Sequence, residues 1–163
     1  MPCCFPPVAD RWSEVLLLGT MPSEDSLKSG RYYGNPRNAF WPLMYALWGE
    51  LPADDYEQRK RFVLEKRIAL WDVLAACERE GSADAAIRCP IPNDFAAFAA
   101  DHPLIRLVAF NSHTAEQLYG RLVRPDPFAN VQKLMLPSSS PARAMRFEDK
   151  LAAWMPVRRA FEH

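Results

Sequence analysis

The chain has 163 residues, 49% hydrophobic and 25% charged, with 20 basic and 20 acidic side chains. These are the values of an ordinary soluble globular protein, and they exclude intrinsic disorder and a disulfide-stapled miniprotein; the length suits one domain over residues 1–163. A net charge of zero leaves a nucleic-acid partner open, because binding needs only a local basic face.

Val15–Leu18 is a short continuous apolar run ending at Gly19. Such a run predicts a strand buried on both faces. A polar, turn-rich stretch from Thr20 to Arg37 follows, long enough to predict a loop that is either functional or disordered. Asn38 stands ahead of the apolar segment Ala39–Trp48, which Gly49 closes. That pattern predicts an N-cap, a helix and a C-terminal glycine. Asp54–Lys66 has helical spacing, and Ile68–Val73 reads as a second strand leading into Leu74–Glu80. Asn93–Ala100 reads as a capped helix and Leu104–Phe110 as a third strand ending at Asn111. Thr114–Val123 reads as a helix and Val131–Leu136 as a fourth strand ending at Pro137. Phe147–Phe161 reads as a closing helix with a break at Pro156.

Strands alternating with helices predict a parallel sheet covered on both faces. Polar segments follow three strand ends: Gly19–Ser23, Asn111–His113 and Pro137–Pro141. Ligands bind at the carboxyl ends of strands in open parallel sheets, so these segments are expected to meet at one cleft.

The four cysteines (Cys3, Cys4, Cys77, Cys89) form no CxxC pair, and the three histidines (His102, His113, His163) have no metal-ligand spacing with them. A reduced, cytoplasmic protein without metal or cofactor is expected. No stretch approaches the ~20 apolar residues of a membrane span. Residues 121–163 hold 8 basic and 4 acidic side chains. This excess is either an ordinary basic surface helix or a rim near a polyanion.

Several segments carry candidate chemistry. The Gly19-Thr20-Met21-Pro22-Ser23 turn lets backbone approach a ligand and offers successive N–H groups. Tyr32 to Trp41 packs two tyrosines, an arginine and two asparagines into ten residues, suited to a planar heterocycle, while Phe40 and Trp41 also read as core. Asn111 offers both donor and acceptor. That suits the O6 and N1–H of hypoxanthine or the O4 and N3–H of uracil, and equally a local turn. Ser138, Ser139 and Ser140 precede Arg143 in a small polar loop that suits phosphates.

Five motifs stand in order: G-T-M-P-S, Y-Y-G-N-P-R-N-A-F-W, I-A-L-W-D-V-L, F-N and L-P-S-S-S-P-A. In that order and spacing the chain resembles the hypoxanthine-DNA glycosylase (DNA-deoxyinosine glycosylase) family of the uracil-DNA glycosylase superfamily, from about Phe5 to Trp154. The resemblance implies a three-layer α/β/α sandwich with a central four-stranded parallel sheet. It implies a monofunctional N-glycosylase of base-excision repair that flips a deaminated base out of DNA and acts as a monomer. It implies Asn38 as the catalytic residue. Base-binding roles fall to Gly19, Thr20, Met21, Pro22, Ser23, Tyr33, Phe40 and Asn111. DNA-binding roles fall to Ser138, Ser139, Ser140 and Arg143. Met21 stands where other branches carry a water-activating Asp or Asn, and Leu136 where some carry His or Asn. Ser112 and His113 follow Asn111 where the family has glycine and a basic residue, which puts His113 near the base pocket.

Three other readings stand beside this one: a uracil-DNA glycosylase of the same fold, a non-catalytic nucleic-acid-binding module, and a serine hydrolase built on Ser138, His113 and Asp72. The last has no GxSxG elbow.

Overall fold

The computed structural model describes residues 4–162; Cys3 and His163 lie outside that range. The elements run β1 (Val15–Gly19), α1 (Glu24–Ser29), α2 (Phe40–Leu47), α3 (Tyr56–Glu65), β2 (Ile68–Asp72), β3 (Leu74–Glu78), a 3₁₀ turn (Asp84–Ala86), β4 (Arg88–Pro92), α4 (Phe95–Asp101), β5 (Leu107–Phe110), α5 (His113–Leu122), β6 (Gln132–Met135) and α6 (Phe147–Arg159).

Four parallel strands form the central sheet in the order β2-β1-β5-β6. Every residue of β1 and β2 is buried, as the unbroken apolar runs require of strands covered on both faces. Alternation sorts the side chains. Val15 and Leu17 join a core with α2, α3 and α6, including Phe40, Met44, Val63 and Trp154. Leu16 and Leu18 join the opposite core with Phe95, Phe98, Leu118 and Tyr119 of α4 and α5. The result is the expected α/β/α sandwich.

Three local outcomes differ from the sequence expectations. The Thr20–Arg37 segment is not one long loop, because α1 interrupts it. Ser23 caps α1 by accepting from the Ser26 N–H, Glu24 and Asp25 occupy its first turn, and Gly30 closes it at φ 68°. The residues after β2 form a small antiparallel hairpin, β3 with β4, that the patterning did not show. Helix α6 continues through Pro156 instead of breaking there. A proline in the last turn removes one backbone hydrogen bond. Trp154 and Val157, both fully buried, hold that turn, and the Ala160 N–H still donates to the Pro156 carbonyl.

Strand register positions the cleft. Gly19 pairs with Asp72, so the ends of β1 and β2 are level. The Asn111 N–H donates to the Leu18 carbonyl and the Leu136 N–H to the Phe110 carbonyl, which brings the exits of β5 and β6 alongside. Among the described residues no helix is long and apolar enough to cross a membrane.

Candidate active site

A cleft of about 560 Å³ opens at the carboxyl ends of the strands. All three polar segments meet there, as the sheet topology requires. Its walls include Gly19–Ser23, Tyr33, Asn38, Asn111, Ser138–Ser140 and Arg143. It also includes Asp72.

Asn111 is buried at the end of β5, and Ser139 fixes its side chain from both ends. Asn111 Nδ2 donates to Ser139 Oγ at 2.9 Å, and the Ser139 backbone N–H donates to Asn111 Oδ1 at 2.9 Å. The second bond settles which end of the amide is oxygen, since a backbone N–H needs an acceptor. An asparagine has two N–H donors and two lone pairs on its oxygen, so one of each remains. Ser139 is itself 1% exposed, and its carbonyl accepts the Ala39 N–H at 2.9 Å. It is therefore a positioning residue for Asn111 and not the phosphate contact expected of it. Ser139→Ala leaves a buried Asn111 N–H without its acceptor. The expected loss is about 1–3 kcal/mol of stability in urea titration. A loss near zero would mean that Asn111 finds another acceptor in the cleft.

The loop that carries Ser139 is held from behind by α6. Trp154 Nε1 donates to the Pro137 carbonyl at 2.9 Å, and Lys150 Nζ to the Ser140 carbonyl at 3.0 Å. Burial and the nearby Arg143 cation lower the Lys150 pKa. Arg143 itself is exposed on the cleft rim. The rest of the C-terminal basic excess is partly engaged elsewhere: Lys133 pairs with Asp126, Arg146 with Glu148 and Asp149, and Arg158 lies over Trp48.

Asn38 both faces the cleft and caps a helix. Its Oδ1 accepts the Phe40 N–H at 2.9 Å, one residue ahead of the cap position that Ala39 holds in α2. One lone pair of Oδ1 and the amide nitrogen remain for a ligand or water.

Tyr33 has φ 55°, a left-handed conformation uncommon for a residue with a side chain. Backbone strain of this kind collects at functional sites. Tyr32 is buried with its hydroxyl on the Pro6 carbonyl, and both Tyr32 and Tyr33 border the cleft. The Tyr33 ring stacks on Phe40 at 3.8 Å between centroids and 17° between planes. Phe40 is fully buried beneath it and does not line the cleft. Its expected part in base binding is thus corrected to backing the Tyr33 ring.

The Gly19–Ser23 segment forms one wall. Thr20 Oγ1 donates to Asp84 Oδ2 and shares a hydrogen bond with Ser112 Oγ, each at 3.2 Å. Ser23 is spent on capping α1. Met21 packs against the Cys77 sulfur, so its side chain is apolar lining. His113 does not enter the cleft. It is exposed, with Nδ1 toward the Met135 sulfur. The Ser138, His113 and Asp72 triad therefore does not assemble.

Asp72 is the residue that sequence reasoning placed only in that triad. It closes an otherwise apolar strand, is 4% exposed, and sits on the cleft floor. Burial, reinforced by the Asp84 charge and opposed by Arg79, pushes its carboxyl up to about 7. Among the described residues, neither Asp72 Oδ2 nor Tyr33 Oη has a hydrogen-bond partner of good geometry. Burial, then the adjacent Asp72, drive the Tyr33 pKa up, with the Asn111 side chain pulling the other way. A lone carboxylate ending a strand buried on both faces was the available signal for Asp72.

The family model described as the uracil DNA glycosylase superfamily matches residues 6–160. The chain belongs to the uracil DNA glycosylase superfamily. Two curated relatives, from Methanosarcina acetivorans and Methanosarcina barkeri, are named hypoxanthine DNA glycosylase. The first is 37% identical over 154 residues, covering 94% of this chain and 95% of the relative. The second is 34% identical over 151 residues, covering 92% and 93%. A solution NMR structure of a Methanosarcina acetivorans protein superposes with a TM-score of 0.85, at 37% identity and 99% coverage of both chains. The two chains thus share one fold over nearly their whole length.

Proposed function

We propose that this superfamily member is a DNA glycosylase that hydrolyses the N-glycosidic bond of a flipped-out deaminated base, hypoxanthine first. The observation that carries the reading is the presence of both Asn111 and Asn38 in the lining of one cleft. Asn111 keeps one donor and one acceptor in a fixed orientation, and Asn38 keeps an amide end for water. The names of the two Methanosarcina relatives support the choice of base.

The nucleotide leaves the duplex at an unstacking cost of a few kcal/mol, less for a mispair. The Asn111 donor and acceptor complement O6 and N1–H of hypoxanthine. Adenine reverses that order and leaves buried mismatches, at about 1–3 kcal/mol each. Uracil presents the same order as hypoxanthine, so pocket size and ring contacts separate the two. As the bond breaks, positive charge grows on the sugar and negative charge on the base. The preorganised Asn111 N–H and the backbone amides of the Gly19–Ser23 turn stabilise that negative charge. An asparagine is no base at neutral pH, so Asn38 orients the attacking water without deprotonating it. An oxocarbenium-like sugar needs only that weak nucleophile. Arg143 and the Ser138 and Ser140 hydroxyls on the rim suit the DNA backbone. The same reading has the protein act in the cytoplasm as a monomer.

The test is base release from duplexes carrying one inosine or one uracil, with wild type beside Asn38→Ala. Inosine cleavage that falls about 10²-fold in the variant is the expected result. The variant also loses a helix-capping acceptor, an expected stability loss of about 1 kcal/mol. Uracil cleavage alone would move the protein to the uracil-specific reading. Tight binding without release of either base would leave a non-catalytic binding module.

A further inference from the structure

Most polar groups of the cleft already have partners. Asn111 is held by Ser139, Thr20 by Asp84 and Ser112, Ser23 by Ser26, and Asn38 Oδ1 by the Phe40 N–H. Two cleft atoms are different, Tyr33 Oη and Asp72 Oδ2. Each is buried, borders the cleft, and has no partner among the described residues. The backbone around Asp72 is fixed: Asn93 Nδ2 donates to the Asp72 carbonyl at 2.8 Å, and the Val73 N–H donates to the Gly19 carbonyl at 2.9 Å. Gly19 leaves space beside the carboxyl. A Cβ there would lie 2.6 Å from Asp72 Oδ1 and 3.3 Å from Tyr33 Oη. Buried polar atoms in native proteins are nearly always paired with protein or ordered water, so one that borders a cleft is open to a polar group that enters it.

On the glycosylase reading above, we propose that Asp72 is a further catalytic residue: as a neutral acid it donates its O–H to a carbonyl oxygen or ring nitrogen on the edge of the flipped base. That acceptor gains negative charge as the glycosidic bond breaks, so the hydrogen bond strengthens toward the transition state. No proton changes hands; the carboxyl keeps its O–H throughout.

The protonation state follows from the surroundings. The titratable groups coupled to Asp72 are Asp84 in the 3₁₀ turn, Arg79 beyond β3, and Tyr32 and Tyr33 after α1. Burial and Asp84 favour the neutral acid, Arg79 the anion, and the balance lies at about 7. Above that pH the donor is lost, and a buried negative charge stands beside a leaving group that is itself becoming negative. Activity therefore has an alkaline limb that belongs to Asp72.

Single-turnover release of hypoxanthine from an inosine duplex, followed from pH 5.5 to 9, tests this. Wild type is expected to lose activity above about pH 7, approaching tenfold per pH unit. Asp72→Asn supplies an N–H donor at every pH. It should stay within about tenfold of wild type at pH 6, show no alkaline limb, and exceed wild type at pH 9. Asp84→Asn removes the neighbouring negative charge, so its limb should persist but move to lower pH. This second variant decides the matter if Asp72→Asn does not fold. A wild-type limb retained in Asp72→Asn overturns the proposal, as does a folded Asp72→Asn that is inactive at every pH. A limb that vanishes in Asp84→Asn, or fails to move there, also overturns it. Wild type that releases neither hypoxanthine nor, from a uracil duplex, uracil at any pH defeats the glycosylase reading and this role together. Active wild type with an unaltered limb in Asp72→Asn defeats this role alone.

Discussion

Gly19→Ala is expected to lower base release by about 10²–10³-fold while the chain still folds. The reason is steric. The sheet holds Gly19 level with Asp72, and the added methyl would stand 2.6 Å from Asp72 Oδ1 and 3.3 Å from Tyr33 Oη. A contact of 2.6 Å is well inside van der Waals range, so the carboxyl or the strand end must shift. Displacements of about 1 Å at a reacting site are enough to cost 10²-fold. The methyl also occupies the floor on which a base would lie. Overpacking of this kind lowers stability by about 1–3 kcal/mol, which a folded domain of this size can absorb. Release rates and inosine-duplex affinity, measured beside a thermal melt, check it. A folded variant with wild-type activity would show that the base does not approach the end of β1.

Asp72→Asn is expected to be more stable than wild type at pH 8 by about 2–4 kcal/mol, and nearly equal to it at pH 4. In the unfolded chain the Asp72 carboxyl loses its proton near its ordinary 3.8, whereas in the fold it holds it to about 7. Between those values the unfolded state binds fewer protons than the native state. The sign of the linkage is then fixed: stability falls as pH rises through the window and stays low above it. A shift from 3.8 to about 7 corresponds to about 4 kcal/mol at full ionisation, an upper figure before water or side chains relax around the charge. Asparagine has no charge to bury at either pH. Urea or thermal unfolding of both proteins at pH 4 and pH 8 isolates the effect, because the remaining carboxylates are common to both. Equal stability at pH 8 would mean that the carboxyl ionises at no cost and is hydrated. The stability that wild type gives up at neutral pH is what a residue retained for catalysis, and not for folding, would show.

Two kinds of residue behave differently when read from sequence. Those whose role is set by their own neighbours in the chain were legible. The runs Val15–Leu18 and Ile68–Val73 announce strands buried on both faces. Gly19, Asn111 and Pro137 mark their exits, and the turn-forming residues after them define the cleft. Asn38 reads as a helix cap from its place before an apolar segment, and it does cap, one residue early. Even α1 had its signals in Ser23, the acidic pair after it and Gly30, although six residues carry too little periodicity to display a face.

What the chain could not show is which groups satisfy one another across long separations. Ser139 looked like a phosphate contact because its neighbours are polar. Only folding brings it against Asn111, 28 residues away in the chain, which consumes its hydroxyl and N–H. Phe40 and Tyr33 belong to one dense motif, yet one ring borders the cleft and the other lies buried beneath it. His113 and Ser112 are adjacent, but the helix that Ser112 caps carries His113 away from the cleft. The hairpin of β3 and β4 has no clear alternation, because it is a separate two-stranded sheet whose strands are only partly buried. By itself, then, the sequence determined the sandwich, the position of its cleft and the superfamily. Burial periodicity and strand-end chemistry are local properties of the chain. Only the tertiary structure decided that Asp72 stands buried beside Gly19, its Oδ2 without a partner among the described residues. Desolvation and hydrogen-bond satisfaction depend on everything packed around a group, and a linear sequence does not say what that will be.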